Sequence, residues 1–273
     1  DSGTSNTVFG KLAGNALASG GNYNLLMGED AGNDLTTSDH NVAIGFQAFA
    51  KATASADNNT VVGNYAMGSI VSNAVDDCVV LGYNAIGLGV MEAGASGVVA
   101  IGRDSLKSLT SGASNVAVGY QTLDACTTGS QNTAVGESAL GATDDGASNV
   151  AIGNSAMGIG NAGHSNVAVG SQSMVDLTGN YNTALGMQSA FDLTSGVGNV
   201  ALGALALKLA SGGESYNVAI GVDAMTEVIE NGNTADSNIA IGAIAMKGGT
   251  LGGDFIGNIA IGRYAMDDTD TNA

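Results

Sequence analysis

The chain of 273 residues lacks proline and tryptophan, and only 4% of its residues are aromatic. A large globular core normally uses more aromatic side chains, so the composition predicts a thin core of small aliphatic residues. Apolar residues still make up 44% of the sequence, which excludes a disordered chain. Apolar runs last only a few residues, far short of the roughly 20 that a membrane-spanning helix needs, so no membrane insertion is expected.

Positive charge is also scarce. Seven Lys and Arg residues oppose 25 Asp and Glu residues, which gives a formal net charge of −18. Nucleic-acid binding needs a cationic surface, so a nucleic-acid partner is excluded. Adsorption to an anionic membrane surface is disfavoured for the same reason.

Glycine is abundant, and one motif glycine recurs every 16 to 21 residues along the whole chain. Asn stands four residues before it in thirteen of fifteen units, and we call this position the Asn column. The Val column, the Ala column and the aliphatic column follow, three, two and one residues before the glycine. Two variable positions come after the glycine, and then the Ala/Ser column and the Met/Leu column. The motif glycines are Gly10, Gly28, Gly45, Gly63, Gly82, Gly102, Gly119, Gly136, Gly153, Gly170, Gly186, Gly203, Gly221, Gly242 and Gly262.

The period is too short for ankyrin, tetratricopeptide or propeller repeats, which need about 33 residues or more. β-Branched and small residues before each glycine predict a short strand, and the glycine predicts a bend. The Ala/Ser and Met/Leu columns are expected to form a second short strand. The sequence therefore predicts an all-β fold, a parallel β-solenoid of about fifteen coils that forms a single domain over residues 1–273. Asn in the turns is expected to build a ladder of side-chain amides from coil to coil.

Side chains alternate between the two faces of a strand, so the Ala column and the aliphatic column point opposite ways. We expect the larger aliphatic side chains, such as Ile44, Ile152 and Leu185, to fill the coil. The Ala column would then form an apolar row outside, which a homotrimer would bury. The alternative is a flat roll in which both faces are internal. Members of the Ala column include Ala43, Ala117, Ala151, Ala219 and Ala260.

Several units resemble a known class of fibre repeat. NVAVGYQTL at residues 115–123, NTAVGESAL at 132–140 and TTGSQN at 127–132 are similar to the repeats of bacteriophage tail fibres and of trimeric autotransporter adhesin heads. The resemblance covers the whole chain and implies a left-handed parallel β-roll that assembles as a trimer. It also implies a structural and attachment role on a virion fibre, or on a bacterial surface. Some connections here are longer than in the adhesin heads.

Several motifs could indicate a catalytic or binding site, but we favour a purely structural role for each of them. Residues 158–163, GIGNAG, match the G-x-G-x-x-G of dinucleotide sites but lie in a connection with no predicted helix after them. His40 and His164 lie just before the Asn column, and Asp39 should point away from His40 because they are neighbours on an extended segment. Cys78 and Cys126 are at least two coils apart, so a disulfide between them is not expected.

Pairs of carboxylates could in principle bind calcium or cleave a glycoside, but a solvated acidic surface is the favoured interpretation. They are Asp76 with Asp77, Asp144 with Asp145, and Asp267 with Asp268 and Asp270. No catalytic, cofactor-binding or metal-binding residue is predicted, no cofactor is expected, and the protein is not expected to be an enzyme.

The sequence thus favours a segment of a trimeric virion fibre, of the phage-tail type, that presents loops to a host-cell receptor, which could be a glycan. A bacterial surface adhesin is the alternative, and an ice-binding solenoid is disfavoured because Thr occupies only four of fifteen places in the Val column. Long connections are the expected receptor-binding loops, because short ones suffice to close a coil. They are residues 70–77, 87–97, 227–237 and 247–257.

Overall fold

A computed structural model describes residues 4–52, 56–68, 75–88, 91–92, 94–208, 213–226, 235–248 and 255–267. The described residues contain short strands and turns and no helix. Contacts divide the chain into two compact units, Asp1–Asp145 and Gly146–Ala273. Both units are built from the same repeat, one short strand to each coil, and the all-β parallel solenoid predicted from the sequence is confirmed.

The first unit contains eight parallel strands of three residues each, and each pairs with the next along the chain. The register brings identical repeat positions together, as in Ala43 opposite Val61 and Ala100 opposite Ala117. The connection between paired strands closes one coil, so consecutive coils stack through their backbones. The strands are β1 (Thr7–Phe9), β2 (Leu25–Met27), β3 (Val42–Ile44), β4 (Thr60–Val62), β5 (Val79–Leu81), β6 (Val99–Ile101), β7 (Val116–Val118) and β8 (Thr133–Val135).

The second unit continues the pattern with seven three-residue strands in a parallel ladder. Two shorter strands, β14 and β16, pair with each other. In the chain, β14 precedes the motif strand β15, and β16 precedes the motif strand β17. The strands are β9 (Val150–Ile152), β10 (Val167–Val169), β11 (Thr183–Leu185), β12 (Val200–Leu202), β13 (Val218–Ile220), β14 (Ala235–Asp236), β15 (Ile239–Ile241), β16 (Phe255–Ile256) and β17 (Ile259–Ile261).

The faces of the strands are the reverse of the prediction. The Ala column lies inside the coil, with Ala117 and Ala151 completely buried. The aliphatic column points outward, and Ile152 and Leu185 are 40% and 51% exposed. A three-residue strand turns its middle residue one way and both flanking residues the other, so the Val column shares the outer face. The interior is narrow, so the middle residue of the strand is Ala or Val where the Met/Leu column is large. Leu26 is completely buried at this position because the Met/Leu column of its coil is Gly32, where a Cβ would lie 2.8 Å from the Leu26 side chain.

Large core side chains come instead from the Met/Leu column. Phe49, Leu106, Leu123 and Met157 are completely buried, as are most of the Ala/Ser residues before them. These residues were predicted to form a second strand, and that prediction is wrong. They form a turn in which alternate residues have left-handed backbone conformation, for example φ 52° at Gln47 and 55° at Phe49. Because every second residue has left-handed backbone conformation, the segment cannot form an extended β-strand.

This turn still connects neighbouring coils. The N–H of Gln47 donates to the carbonyl of Glu29 in the preceding coil at 2.9 Å, and the N–H of Phe49 donates to the carbonyl of Ala66 in the next coil at 3.0 Å. Left-handed φ is unfavourable for residues such as Phe49, so the coil stack must compensate for its cost. The backbone groups of the turn are therefore satisfied without a second sheet.

The predicted ladder of Asn side chains is confirmed in both units. Asn41 Oδ1 accepts the backbone N–H of Asn59 in the next coil at 2.9 Å, and Asn41 Nδ2 donates to the carbonyl of Ala56 at 2.7 Å. In the first unit the run reaches Cys78, whose N–H donates to Asn59 Oδ1 at 3.0 Å. Each buried amide thus bonds backbone groups that would otherwise have no partner.

The two cysteines are free thiols and both are buried, as predicted. Burial raises the pKa of the Cys78 thiol to about 11 and that of the Cys126 thiol to about 12. Both thiols are therefore neutral near pH 7 and act as small apolar core residues.

Candidate functional site

The outer face of the strands is an apolar surface in each unit, and we call it the outer strand face. In the first unit it consists of the Val-column and aliphatic-column residues of β1 to β8, which are half-buried or exposed. Phe9 and Met27 are its most exposed large apolar members, at 73% and 41%. Contiguous apolar surface of this kind marks a site of interaction with another apolar surface.

The second unit presents the same face on β9 to β13, β15 and β17. Ile259 and Ile261, on the two outward positions of β17, are 64% and 68% exposed. Val167 and Leu185 are 36% and 51% exposed. In-register pairing aligns identical columns, so the face consists of two rows of mostly aliphatic side chains, with Thr183 in one of them.

A second exposed feature runs across the coils of the first unit, and we call it the aromatic row. Its members occupy the variable positions after the motif glycines. The rings of Phe46 and Tyr65 meet edge to face with centroids 5.3 Å apart, and those of Tyr65 and Tyr83 do so at 6.0 Å. The guanidinium of Arg103 lies 5.6 Å from the Tyr83 ring centroid and 5.9 Å from that of Tyr120. Such contacts hold exposed rings in defined orientations.

A cleft of about 300 Å³ adjoins the aromatic row at Tyr65. Its other polar lining includes Asp30, Asp34, Gln47 and Asn84. Gln47 Nε2 lies 3.4 Å from Asp30 Oδ2. The cleft follows the variable positions of four consecutive coils, and its lining carries both hydrogen-bond donors and acceptors.

A network of charged side chains next to the cleft holds the side-chain amide of Asn84. Its Nδ2 donates to Asp104 Oδ1 at 2.6 Å, and the other oxygen of Asp104 accepts from Arg103 Nε at 3.2 Å. Lys107 Nζ lies 4.0 Å from Asp104 Oδ1. The Asp104 carboxylate is only 8% exposed, so this network orients the amide of Asn84, which lines the cleft.

Each of the two histidines contacts a residue of the preceding coil. The ring of His40 stacks on Tyr23 with centroids 5.0 Å apart, and His164 Nδ1 accepts the backbone N–H of Ala147 at 3.1 Å. Asp39 Oδ1, next to His40 in the chain, accepts the backbone N–H of Asn22 at 2.6 Å.

A ladder of side-chain acceptors that sequence reasoning missed lies two residues before the Asn column. Asp39 N–H donates to Asp57 Oδ1 at 2.8 Å, Asp57 N–H to Asp76 Oδ1 at 2.8 Å, and Asp76 N–H to Ser96 Oγ at 3.1 Å. Asp, Asn and Ser recur at this offset, which is the signal that could have revealed it. Part of the negative charge of the first unit therefore serves the backbone of the coils.

The GIGNAG segment and the carboxylate pairs are the remaining candidates from the sequence. Residues 158–163 lie in turns between β9 and β10, where the N–H groups of Ile159 and Gly160 bond the carbonyl of Val175 in the next coil. Within the described part of the chain, no group of three or more His, Cys, Asp or Glu side chains could hold a metal ion. Asp268 and Asp270 lie outside the described residues.

The predicted receptor-binding loops also lie partly outside the described residues, at 70–74, 89–90, 93, 227–234 and 249–254. In the ranges that the structure describes, no helix is long and apolar enough to cross a membrane. No protein-family model matches the chain, and the search of curated proteins found no match.

Proposed function

We propose that the chain is a structural and attachment segment of a trimeric fibre, of the kind carried by phage tails, that presents its surface to a host cell. The observation that carries the proposal is the outer strand face. Because the core of the coil is filled around the Ala column, the two outer rows of Val, Ile and Leu do not pack inside the chain. Lateral contact between copies would remove those rows from water.

The energy available from such contact is substantial. Covering the exposed part of a side chain such as Ile152, which is 40% exposed, contributes on the order of 1–2 kcal/mol. Two rows of such residues in each unit give a surface whose burial can exceed the cost of association. Any closed cyclic assembly with these faces turned to a common axis would bury them equally in every copy, and the resemblance to trimeric fibre repeats is the reason to propose three copies.

The resemblance of the NxAxG repeats to phage tail fibres and adhesin heads agrees with this arrangement. A bacterial surface adhesin would use the same trimer with a cellular anchor. An ice-binding role fits poorly, because the outward rows are mostly aliphatic and Thr7, Thr60, Thr133 and Thr183 are the Thr members of the Val column.

The test compares cell binding and assembly in one set of variants. Ile152→Glu places a charge on the outer strand face, whereas Asn154→Glu places it at an exposed variable position two residues away. We expect Ile152→Glu to reduce trimer content and to weaken binding to bacterial cells. Asn154→Glu should leave trimer content and cell binding as in the unmodified protein. Equal behaviour of the two variants, or no binding to any bacterial surface by the unmodified trimer, would refute the proposal.

A further inference from the structure

We infer that the cleft in the first unit, together with the aromatic row beside it, is a binding site for an uncharged sugar of a cell-surface glycan. The inference deepens the proposed attachment function and rests on it for the source of the ligand. The observations are the composition of the cleft, its connection to the aromatic row and the charge of the chain.

The cleft carries the groups that recognise vicinal hydroxyls. Asp30 and Asp34 supply carboxylate acceptors, while Gln47 and Asn84 supply amides that can both donate and accept. A sugar hydroxyl also donates and accepts, so neighbouring hydroxyl pairs match neighbouring carboxylate and amide groups. The volume of about 300 Å³ lies at the lower end of the range for ligand sites, which suits one or two sugar rings.

Tyr65 supplies the apolar platform. It lines the cleft, is 40% exposed, and is held by edge-to-face contacts with Phe46 and Tyr83. The C–H face of a pyranose can lie against an aromatic ring while its hydroxyls remain free to bond the polar lining. A ring that is already oriented loses little conformational freedom when a sugar binds.

The glycines of the cleft keep it open. Gly68 and Gly87 occupy the position after the Met/Leu column in two consecutive coils, where the preceding coil has Ala50. Lys51, one residue further along, is an exposed cation at the edge of the cleft. A Cβ at Gly68 would lie 3.3 Å from the carbonyl oxygen of Tyr65, and a Cβ at Gly87 would collide with Asn84 Oδ1, so larger residues at these positions would disturb the lining of the cleft.

Charge selects against acidic sugars. Two carboxylates and one lysine line the cleft, and the chain as a whole carries a formal charge of −18. Sialylated, sulfated or phosphorylated glycans would be repelled over distances of about the Debye length. The two carboxylates and the Tyr65 ring would also attract a polyamine, through charge and cation–π contact, so a polyamine is the competing ligand that the experiment must test. The expected ligand is a neutral hexose or N-acetylhexosamine unit.

The aromatic row extends the site beyond the cleft. It covers five consecutive coils, from Phe46 to Tyr120, and each coil advances by about 4.8 Å. A glycan chain that enters the cleft at Tyr65 can continue along Tyr83, which is 50% exposed. Several weak contacts per site, repeated in each copy of the fibre, would add through avidity.

The experiment uses saturation-transfer NMR of the full chain with maltotriose, cellotriose, mannotriose and chitotriose. Sialyllactose and spermidine serve as the anionic and cationic probes. The variants are Tyr65→Asn, Gln47→Asn and Asp30→Asn, and the matched control is Tyr181→Asn. Tyr65 and Tyr181 are both exposed and both left-handed, with φ 59° and 60°, and Asn tolerates that conformation. The three cleft positions all have left-handed φ, so three independent variants with compatible backbones are available.

We expect at least one neutral trisaccharide to bind, with affinity reduced about three- to tenfold by Tyr65→Asn and unchanged by Tyr181→Asn. The same trisaccharide should compete with the protein for bacterial cells. Failure of all four neutral probes to bind would overturn the inference. So would equal loss in the Tyr65 and Tyr181 variants, or preferential binding of sialyllactose or spermidine.

Trimer content and cell binding are measured on the same preparations, which separates the two proposals. A trimer that binds cells but no neutral sugar contradicts the sugar site and leaves the attachment function standing. A monomer that binds sugar at Tyr65 contradicts the fibre and leaves the sugar site standing.

Discussion

Replacing Asn182 by Ala should strongly destabilise the second unit, because this side chain serves three coils at once. Asn182 is completely buried. Its Oδ1 accepts the backbone N–H of Asn199 at 3.0 Å, and its Nδ2 donates to the carbonyl of Gly196 at 2.8 Å. Its Nδ2 also lies 3.2 Å from Asn166 Oδ1 in the preceding coil.

The magnitude follows from the groups left behind. Asn182→Ala removes the acceptor of the Asn199 N–H and the donor to the Gly196 carbonyl. Each buried backbone group without a partner costs about 1–3 kcal/mol, and Ala is too small to restore either bond, so the expected loss is about 3–5 kcal/mol. The matched control is Asn154→Ala at an exposed variable position, which should cost less than about 0.5 kcal/mol.

Two assays check this prediction. Urea unfolding followed by circular dichroism, at equal protein concentrations, gives the difference in stability between the two variants. Hydrogen exchange then gives the local effect, and the Asn199 amide should lose protection selectively. A loss below about 1 kcal/mol with full protection of Asn199 would refute the view that the Asn ladder stabilises the coils.

Three further predictions concern the coil interior and the thiols. Ala151→Glu puts a carboxylate without a partner inside the coil and should prevent its unit from folding, seen as loss of the β-sheet circular dichroism signal; a folded variant would mean that the Ala column faces outward. Gly153→Ala should cost about 3 kcal/mol or more, because φ is 135° and a Cβ would lie 2.6 Å from the carbonyl of Gly170; an unchanged melting temperature would contradict this. Cys78 and Cys126 have pKa values raised by burial to about 11 and about 12, so both should resist disulfide-exchange reagents at about pH 8 until the protein unfolds. Because burial raises the pKa of each thiol in the folded protein, their contribution to stability is fully present below the unfolded thiol pKa of about 9. It should fall as the pH rises toward 11, because the thiols of the unfolded chain ionise first. Rapid labelling of the native protein, or stability that rises over this pH range, would contradict the burial of the two thiols.

The repeat, the strand and the Asn ladder could be predicted because each depends on residue type at a fixed offset. Asn at its column must satisfy backbone groups in a turn, and β-branched residues next to it favour a strand. The structure confirms all three features, as at Asn41 and at β3.

The faces of the strand could not be predicted by assigning large side chains to the core. The width of the coil decides which residue fits inside, and that width is set by the turn carrying Phe49 and its counterparts. No residue type in the sequence marks the left-handed positions of this turn, because residues as different as Gln47 and Leu123 adopt that conformation. The cleft was also beyond sequence reasoning, since Asp30, Gln47 and residues of later coils meet only after the coils stack.

The most direct test of the proposed fibre is the native mass of the unmodified protein by light scattering, combined with solvent protection of the outer strand face. We expect a particle with three times the 26.6 kDa chain mass. Oxidative footprinting should then label the outward side chains Ile152 and Leu185 far less in that particle than their 40% and 51% exposure in a single chain would allow. A stable, folded particle of one chain mass with both side chains fully labelled would contradict it.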